Sequence, residues 1–459
     1  MYKDQPRLFG TNGVRGIFGK ELTVDLIIDL SYAIASYFQK GPIIVGYDVR
    51  NSSPILSKLV RSALNAVGLD VGNAKLVPTP CLQYATKRLG YMGGIMITAS
   101  HNPPEYNGIK AIANDGVEVS REDELRIESI YYSGNFSKNG GFGLDLVNDS
   151  IINSYTEAVL QLVDVQKIRS REFKVVIDVG NGAQAAAAPL LVQELGCKAI
   201  MINGSMDGDF PGRGPEPTPE NLQVLSNMVI DTGSDIGVAY DGDGDRSLFC
   251  DETGTIHWGD KTGTLIVEYL LKNKHNGAEV ICPINTTMAL SLVAEQAGSK
   301  TIYTKVGSVE VSREMVRRKS YIGLEENGGF MYGKLNEVRD GIMTTALVLD
   351  MLASNKEKRF SELISSLPRI FQYKSKFRCP TKEIADDIVN ACLKHGNPQK
   401  VETLDGAKMW IDEETWIMVR PSGTEPLIRM YGESTDKSLL NSKVEEYSRL
   451  INSKTVGRT

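Results

Sequence analysis

The sequence has few cysteines and no long apolar run. Its 459 residues include six cysteines, none of which form a Cys-x-x-Cys pair, so we expect neither a zinc site nor a disulfide framework. No stretch of about 18 uninterrupted apolar residues occurs, which argues against a membrane span. Residues 1–19 carry Lys3, Asp4 and Arg7 and do not have the pattern of a signal peptide. These features favour a cytoplasmic protein.

An excess of basic charge is also missing. The chain has 51 Lys and Arg against 57 Asp and Glu, with a net charge of -6. Domains that bind nucleic acid are usually strongly basic, so we expect no nucleic-acid partner. A mildly acidic protein can still bind phosphate where its basic side chains converge in one cleft.

A strand–loop–helix pattern recurs along most of the chain. Short runs rich in β-branched residues end in clusters of Gly, Asp, Ser or Asn, as at residues 43–48, 94–102, 175–182 and 236–245. This alternation predicts α/β domains with largely parallel sheets. Ligands of such domains bind at the carboxyl ends of the strands, where these polar clusters lie.

The C-terminal part of the chain has a different pattern. After residues 366–380 the sequence predicts a helix at 384–393, paired strands within 409–419 and a closing amphipathic helix at 438–451, which together indicate a small α+β domain. The turn at 251–254 predicts the opening of a third domain. The predicted domains are residues 1–150, 151–252, 253–367 and 368–459.

An acidic loop follows the predicted strand at 236–240. Asp241, Asp243 and Asp245 alternate with glycines, which let the backbone fold tightly enough for three carboxylates to face one point. Such hard oxygen ligands suit Mg²⁺ or Ca²⁺. A calcium EF-hand is rejected because its sixth position must be glycine and is Arg246, and because the flanking segments read as strands. The remaining alternative is a solvated acidic turn.

A serine loop follows the strand at 94–98. Ser100 stands at the strand end with His101 beside it and Lys110 close behind, so it is a candidate nucleophile or phosphoryl carrier. The Gly-x-Ser-x-Gly elbow of serine hydrolases is missing. The alternative is a turn serine that bonds its own backbone.

Two further loops carry polar groups. In residues 420–426, Arg420, Ser422, Gly423 and Thr424 combine a guanidinium, two hydroxyls and a flexible backbone, which together can surround a phosphate. The alternative is an ordinary polar turn. Residues 325–329 place carboxylate and amide oxygens on a glycine-rich loop, which suits a hydroxyl-rich ligand such as a sugar, although adjacent glutamates are usually only solvated.

Together these loops resemble the α-D-phosphohexomutase superfamily over essentially the whole chain. Five motifs appear in the family's order, at residues 9–16, 98–103, 241–246, 325–329 and 420–426. The resemblance implies four domains around a central cleft. Three would be mixed-sheet α/β domains carrying, in order, the phosphoserine, metal-binding and sugar-binding loops, and the fourth a smaller α+β domain carrying the phosphate-binding loop.

The resemblance also implies roles for individual residues. Ser100 would be carried as phosphoserine, with Arg15, His101, Lys110 and Arg246 as the other catalytic residues. One Mg²⁺ per subunit would be held by Asp241, Asp243, Asp245 and an oxygen on Ser100. The substrate would be bound by Lys305, Gly307, Glu325, Asn327, Arg420, Ser422, Gly423, Thr424 and Arg429.

The implied reaction moves a phosphoryl group between the 6- and 1-positions of a hexose phosphate. Phosphoserine would give its group to the free hydroxyl, and the bound hexose 1,6-bisphosphate would turn round before returning the other phosphate. Hexose 1,6-bisphosphate is therefore also the expected activator. The expected partner is this small molecule alone, with no nucleic acid or membrane, in a monomer or homodimer.

Departures from the family pattern bear on the sugar. Many phosphomannomutase/phosphoglucomutase members carry histidine where this chain has Gly329, and the Lys-Val-Gly sequence at 305–307 is more like that of phosphoglucosamine mutases. The glutamate loop looks like an archaeal-type version. These residues favour glucosamine phosphate, with galactosamine phosphate as a further substrate and mannose or glucose phosphate as the alternative. A sugar-phosphate phosphatase and a non-catalytic sugar-phosphate sensor are the rivals from other classes.

Overall fold

The computed structural model describes residues 7–10, 13–136, 141–379, 381–422 and 427–455. Twenty strands and fifteen α-helices are assigned in these ranges. The strands are β1 Val14–Ile17, β2 Ile43–Tyr47, β3 Val71–Leu76, β4 Gly93–Ile97, β5 Tyr106–Ala113, β6 Asp145–Val147, β7 Lys174–Asp178, β8 Lys198–Ile202, β9 Ile236–Tyr240, β10 Ser247–Asp251, β11 Ile256–His257, β12 Val280–Pro283, β13 Thr301–Thr304, β14 Ile322–Leu324, β15 Phe330–Tyr332, β16 Phe371–Arg378, β17 Lys400–Glu402, β18 Ala407–Trp410, β19 Thr415–Pro421 and β20 Leu427–Ser434.

The helices lie mainly between these strands. They are α1 Val24–Phe38, α2 Ser53–Ala66, α3 Thr79–Arg88, α4 Arg121–Ser133, α5 Ile151–Leu160, α6 Val165–Arg169, α7 Ala188–Glu194, α8 Gln223–Thr232, α9 Gly259–Asn273, α10 Met288–Gln296, α11 Ser308–Arg318, α12 Gly341–Ser354, α13 Phe360–Ser365, α14 Lys382–Lys394 and α15 Lys437–Thr455, with a 3₁₀ helix at Ala183–Ala186. Within the described ranges, no helix has the length and apolar character needed to cross a bilayer.

The first three sheets are mixed and share one arrangement. Their strand orders are β1-β5-β4-β2-β3-β6, β11-β10-β9-β7-β8 and β13-β12-β14-β15. In each, one strand has a parallel neighbour on one side and, on the other, an antiparallel neighbour that follows it in the chain: β4 before β5, β9 before β10, and β14 before β15. The serine, acidic and glutamate loops are the connections between these pairs. The predicted mixed α/β architecture of three domains is confirmed.

The fourth sheet is antiparallel throughout. Its order is β16-β20-β19-β18-β17, and α14 and α15 pack on one face through a core that includes Ile388, Ile417, Val419, Met430 and Tyr447. Side chains alternate along a strand, so the neighbouring positions face the other way. This confirms the predicted α+β domain.

The boundary between the second and third domains differs from the sequence prediction. The turn at residues 251–254 joins β10 to β11, and Phe249 pairs with His257. The second sheet therefore continues beyond the predicted limit at residue 252, because this turn closes a hairpin instead of opening a new domain. The other domain limits remain predictions.

Parts of the first three domains share one hydrophobic cluster. A single hydrophobic cluster runs from α3 through α5, α7 and α9 to α12. Residues 341–353 of α12 are all buried, as expected of a helix enclosed on every side. Asp340 caps this helix by accepting a hydrogen bond from the Met343 backbone N–H (2.9 Å). The first residue of α12 thus lies against the acidic loop, since a Cβ on Gly341 would be 3.0 Å from the Gly244 carbonyl oxygen.

Candidate active site

Ser100 lies at the end of β4 in an unusual backbone conformation. Its φ is +50°, in the left-handed region that non-glycine residues rarely occupy. The side chain is buried, and its Oγ donates to Asp241 Oδ2 at 3.0 Å. The Nδ1 atom of His101 lies 3.4 Å from the same Oγ. The structure thus brings the serine loop of the first domain onto the acidic loop of the second.

A buried arginine holds the serine loop. The guanidinium of Arg50 donates to the carbonyl oxygens of Ser100 (2.8 Å), Asn102 (2.6 Å), Pro103 (2.6 Å) and Tyr106 (2.8 Å). It is anchored by Asp48 at 3.1 Å, an ion pair in which both side chains are 0% exposed. Four carbonyl oxygens of this loop thereby share one guanidinium, which fixes the path of the loop.

The three aspartates of the acidic loop converge as predicted. Asp241, Asp243 and Asp245 are all buried, and one oxygen from each lies within 4.8 Å of the others. Within the described residues, Asp243 Oδ1 and Asp245 Oδ1 are buried without a hydrogen-bond partner. Buried carboxylate oxygens without a partner are costly unless something binds them. Hard oxygen donors at this spacing fit Mg²⁺.

The other oxygens of these carboxylates are held by basic and hydroxyl groups. Asp243 Oδ2 accepts from Lys110 Nζ (2.9 Å) and from Thr79 Oγ1 (2.7 Å). Burial by itself raises the pKa of Asp243, but Lys110 and Thr79 outweigh it and hold the pKa below its usual range. Burial and the neighbouring Asp245 raise the pKa of Asp241. The loop is therefore arranged with one carboxylate firmly ionised and a second that needs further positive charge.

Arg246 completes the acidic loop. Its Nε donates to Asp241 Oδ2 at 3.0 Å, and its backbone N–H donates to Asp241 Oδ1 at 3.1 Å. Within the described part of the chain, Arg246 Nη2 is buried without a hydrogen-bond partner. A guanidinium held in this way is ready to bind an anionic oxygen next to Ser100.

Arg15 and His101 line the same space. Arg15 Nη1 donates to the Ala99 carbonyl (3.2 Å) and to Asn102 Oδ1 (2.5 Å), so it contacts both sides of Ser100. Burial lowers the pKa of Arg15 to about 10. Burial and the charge of Arg246 lower the pKa of His101 well below its ordinary value, which leaves this imidazole neutral at pH 7.

The glutamate loop of the third domain meets the acidic loop through a residue that the motifs do not contain. Arg339 donates to Asp245 Oδ2 (2.5 Å) and to Glu325 Oε2 (3.3 Å). Burial raises the pKa of Glu325. Asn327 is half-buried and its Oδ1 accepts from the Gly329 N–H at 3.3 Å. Both predicted sugar-binding residues therefore lie on a loop that Arg339 connects to the acidic loop.

The predicted phosphate-binding residues form a second cluster, at the boundary of the third and fourth domains. Asp405 Oδ2 accepts from Arg420 Nε (3.1 Å) and from the Val306 N–H (3.0 Å), which brings Arg420 next to the loop of Lys305 and Gly307. Lys305 is exposed. Ser422 continues from β19, its N–H donating to Leu427 (2.8 Å). Gly423 and Thr424 lie outside the described residues, as do Thr11 and Asn12 of the first motif.

Three cations line up across the fourth sheet in this cluster. Arg429 on β20 is directly opposite Arg420 on β19 and Lys376 on β16. Directly opposed residues in an antiparallel sheet share a face. A row of three positive side chains on one face of a sheet is a suitable place for a phosphate dianion.

Several of these residues do not follow from motif reading. Arg50, Thr79, Arg339, Lys376 and Asp405 all lie outside the five motifs. Asp48 and Arg50 lie at and just after the carboxyl end of a predicted strand, where ligands of α/β domains bind. This position is the signal by which the sequence could have indicated them. Thr79 and Arg339 are single polar residues whose partners are set by domain packing. Lys376 and Asp405 are brought to Arg429 and Arg420 by the folding of the fourth domain itself.

The chain matches four domain families along its length. These are the phosphoglucomutase/phosphomannomutase alpha/beta/alpha domains I, II and III, at residues 6–138, 153–254 and 258–371, and the C-terminal domain of the same proteins at 376–449. The matches occur once each and in order.

Whole-chain relatives agree with these matches. The phosphoglucosamine/phosphogalactosamine mutase of Sulfurisphaera tokodaii is 39% identical over 98% of this chain and 100% of its own. The phosphoglucomutase/phosphomannomutase of Thermococcus kodakarensis is 38% identical over 97% of each chain. The crystal structure of a phosphoglucomutase/phosphomannomutase family protein from Burkholderia thailandensis superposes with a TM-score of 0.87 at 26% identity, covering 98% of both chains. A chain that shares every domain and its full length with these proteins belongs to the phosphoglucomutase/phosphomannomutase family of phosphohexomutases.

Proposed function

We propose that this protein is a phosphohexomutase that interconverts hexose 6-phosphate and hexose 1-phosphate, with glucosamine phosphate as the favoured substrate. The observation that carries the proposal is the placement of Ser100. Its Oγ lies 3.0 Å from Asp241, next to carboxylate oxygens and a guanidinium nitrogen that are buried without partners within the described residues. A hydroxyl in this position can accept and return a phosphoryl group, which simple binding does not require.

The residues around Ser100 suit phosphoryl transfer. Asp241, Asp243 and Asp245 would hold one Mg²⁺, which when bound supplies positive charge against the phosphoryl oxygens. Arg246 would offer the same oxygens its Nη2, which has no hydrogen-bond partner within the described residues. In the transfer, the bond from phosphorus to Ser100 Oγ breaks as a bond from phosphorus to the sugar oxygen forms, and the proton that the sugar hydroxyl loses ends on Ser100 Oγ. His101, neutral and 3.4 Å from Oγ, can exchange a proton with Ser100 Oγ.

The other end of the substrate would be held by the fourth domain. Arg420, Arg429 and Lys376 share one face of its sheet, and we assign them to the phosphate that is not being transferred. Ser422, Gly423, Thr424, Lys305 and Gly307 would complete this binding site. Glu325 and Asn327 would accept hydrogen bonds from the sugar hydroxyls. A bisphosphate intermediate that turns round between the two ends satisfies both sites in either orientation.

The preference for an amino sugar rests on the Lys-Val-Gly loop at 305–307 and on the similarity to the mutase of Sulfurisphaera tokodaii. The second candidate is glucose or mannose phosphate, because a relative with that name is almost equally similar. Hexose 1,6-bisphosphate as activator, a cytoplasmic location and a monomeric or homodimeric state belong to the same proposal.

Phosphorus NMR tests the reaction directly. Purified protein with Mg²⁺ and a trace of hexose 1,6-bisphosphate is given the 1-phosphates of glucosamine, galactosamine, glucose and mannose in separate samples. We expect the 1-phosphate signal to be replaced by the 6-phosphate signal, fastest with glucosamine. Stoichiometric inorganic phosphate would indicate a phosphatase instead, and no change with any of the four sugars would contradict the proposal in favour of a sensor.

A further inference from the structure

Arg339 occupies a position that joins the two halves of the candidate site. It stands directly before α12, and its guanidinium spans two carboxylates from different domains, Asp245 on the acidic loop and Glu325 on the glutamate loop. Its side chain is only 10% exposed. The charges of Asp245 and Glu325 overcome the effect of burial and raise the pKa of Arg339, so it remains charged.

The bridge leaves one oxygen of Asp245 available. Arg339 donates to Oδ2, which Lys110 Nζ also approaches at 3.6 Å. Oδ1 lies 3.8 Å from Arg246 Nε and is buried without a hydrogen-bond partner among the described residues. A carboxylate held by one oxygen presents the other in a fixed direction. Groups that orient metal ligands in this way typically contribute about 10–100-fold to metal affinity or activity.

Gly329 provides the space that Arg339 fills. A Cβ at position 329 would lie 2.4 Å from Arg339 Cδ and 2.8 Å from its Cγ, well inside van der Waals contact. These atoms are in the middle of the side chain, whose far end is fixed by two ion pairs, so it cannot move aside without losing them. The backbone of Gly329 does not need glycine for its own conformation, because its φ is not in the left-handed region.

We infer that Arg339 is a positioning residue that orients Asp245 for the metal and Glu325 for the sugar, and that Gly329 is required because it leaves room for Arg339. The sugar half of this inference rests on the proposed function, and the metal half does not. One guanidinium then sets the geometry of both binding functions. Lysine cannot replace it, because a single ammonium group lacks the planar fork that spans two carboxylates.

Gly329→Ala tests the inference without removing any charge. The added methyl displaces Arg339, so Asp245 and Glu325 lose their shared partner while every charged residue is still present. We expect the dissociation constant for Mg²⁺ alone, measured by isothermal titration calorimetry on the full chain, to rise about tenfold. The KM for the hexose phosphate should rise in parallel. An unchanged Mg²⁺ dissociation constant would overturn the inference.

The same substitution in an Arg339→Ala background separates this effect from general distortion. With Arg339 truncated, the next atom near a Cβ at 329 is Asn327 Oδ1 at 3.3 Å, so Gly329→Ala should change the Mg²⁺ dissociation constant less than about twofold. An equal change in both backgrounds would show that Gly329 acts through something other than Arg339. Because Arg339 is missing from both proteins compared in this background, its charge cannot account for a difference in Mg²⁺ binding between them.

Two further variants serve as checks. Arg339→Lys adds no steric conflict and keeps the charge, so it tests the bridge even where Gly329→Ala fails to fold; Mg²⁺ binding as tight as in the wild type would contradict the inference. Gly333→Ala, which would crowd the Ser320 carbonyl at 2.7 Å on the far side of β15, should leave the Mg²⁺ dissociation constant unchanged. If the wild type binds Mg²⁺ with this coupling but turns over no hexose phosphate, the proposed function fails and the metal half of the inference stands.

Discussion

At the scale of single residues, Ser100 carries a conformational cost at the centre of the site. The left-handed conformation costs a non-glycine residue about 1 kcal/mol or more. It is maintained because Thr98 Oγ1 accepts from the Ser100 N–H at 2.8 Å, and Arg50 Nη2 donates to the Ser100 carbonyl at 2.8 Å. The surrounding bonds determine the backbone of this residue, so the strain serves to place Oγ.

Ser100→Ala and Ser100→Gly should therefore separate catalysis from stability. Both remove the phosphoryl acceptor, and we expect both to lose mutase activity by orders of magnitude. Glycine adopts the left-handed conformation without steric cost. The free energy of unfolding should therefore be about 1 kcal/mol larger for Ser100→Gly than for Ser100→Ala. Urea unfolding and the phosphorus NMR assay measure the two effects. Near-normal turnover in either variant would rule out Ser100 as the carrier.

Asp243→Asn should weaken Mg²⁺ binding without changing the size of the side chain. Asparagine keeps an oxygen for Lys110 and Thr79 but removes the negative charge, so we expect the Mg²⁺ concentration for half-maximal activity to rise, with lower maximal activity. The measurement is a Mg²⁺ titration of the mutase rate. Asp231→Asn, on the exposed face of α8, is the matched control. An identical titration for Asp243→Asn and the wild type would remove Asp243 from the ligand set.

The sequence indicates the candidate catalytic and metal-binding residues better than the residues that position them. Three alternating aspartates with glycines between them indicate a metal loop because the constraint is local, and the structure brings the three together. Arg339 gives no such signal, since its two partners are 94 and 14 residues away in the chain. Only the packing of the second domain against the third makes it part of the site.

At the scale of elements, the three loops around Ser100 are built on the same type of strand-to-strand connection. Each of the serine, acidic and glutamate loops leads from a strand with a parallel neighbour into an antiparallel partner. Local patterns predict these strands well, and the strand at 236–240 is found with the predicted limits. The pairing order of the strands depends on contacts far apart in the chain, which short apolar runs do not encode.

Arg50→Lys should lower kcat with little change in KM. Lysine can hold Asp48 but cannot donate to four carbonyls spread over residues 100–106, so the loop that carries Ser100 loses its fixed path. The residues that we propose bind the sugar and its distal phosphate are unaffected, so binding should persist. Steady-state kinetics on the favoured sugar phosphate measures both constants.

The control for this change is Arg61→Lys on α2. Arg61 is a mostly buried arginine whose ion pair with Asp145 lies outside the site, and its replacement should leave kcat unchanged. If Arg50→Lys raised KM alone, the arginine would act on substrate binding instead of on the serine loop.

At the scale of the whole molecule, the fourth domain is attached through charged side chains. One face of its sheet meets the third domain, where Glu433 accepts from the Met288 N–H (2.7 Å) and Lys374 contacts Glu326 (2.5 Å). Trp416 packs beside Ile284 in the same interface. The interface thus combines charged contacts with a buried apolar cluster that includes Trp416 and Met418. A partly polar interface permits relative motion of domains more readily than a wholly apolar one, which suits the proposed role of the fourth domain in binding and releasing a phosphate.

This interface should make stability depend on pH through Glu433. Burial raises the pKa of Glu433 to about 7, above the value in the unfolded chain, so the folded state binds the extra proton. The resulting stabilisation is present in full below the unfolded pKa and is lost as pH rises towards 7. A shift of this size corresponds to a change on the order of 3 kcal/mol.

Glu433→Gln should remove that dependence. Glutamine keeps an acceptor for the Met288 N–H and stays neutral, so the variant should lose the fall in stability between about pH 5 and pH 8. Its amide nitrogen replaces an oxygen that accepts from Gln372 Nε2 at 2.8 Å, so the slope of stability with pH is compared, not its absolute value. Urea unfolding followed by tryptophan fluorescence measures the stability of each variant. Two of the three tryptophans of the chain lie on the fourth sheet, and Lys374 of that sheet lies 4.7 Å from the ring of the third, Trp258. The fluorescence should therefore report on the fourth domain and its interface. Glu413→Gln, at an exposed position, should follow the wild type at every pH. If Glu433→Gln also ran parallel to the wild type from about pH 5 to pH 8, the proton would not be held at Glu433, and the attachment of the fourth domain would be independent of pH in this range.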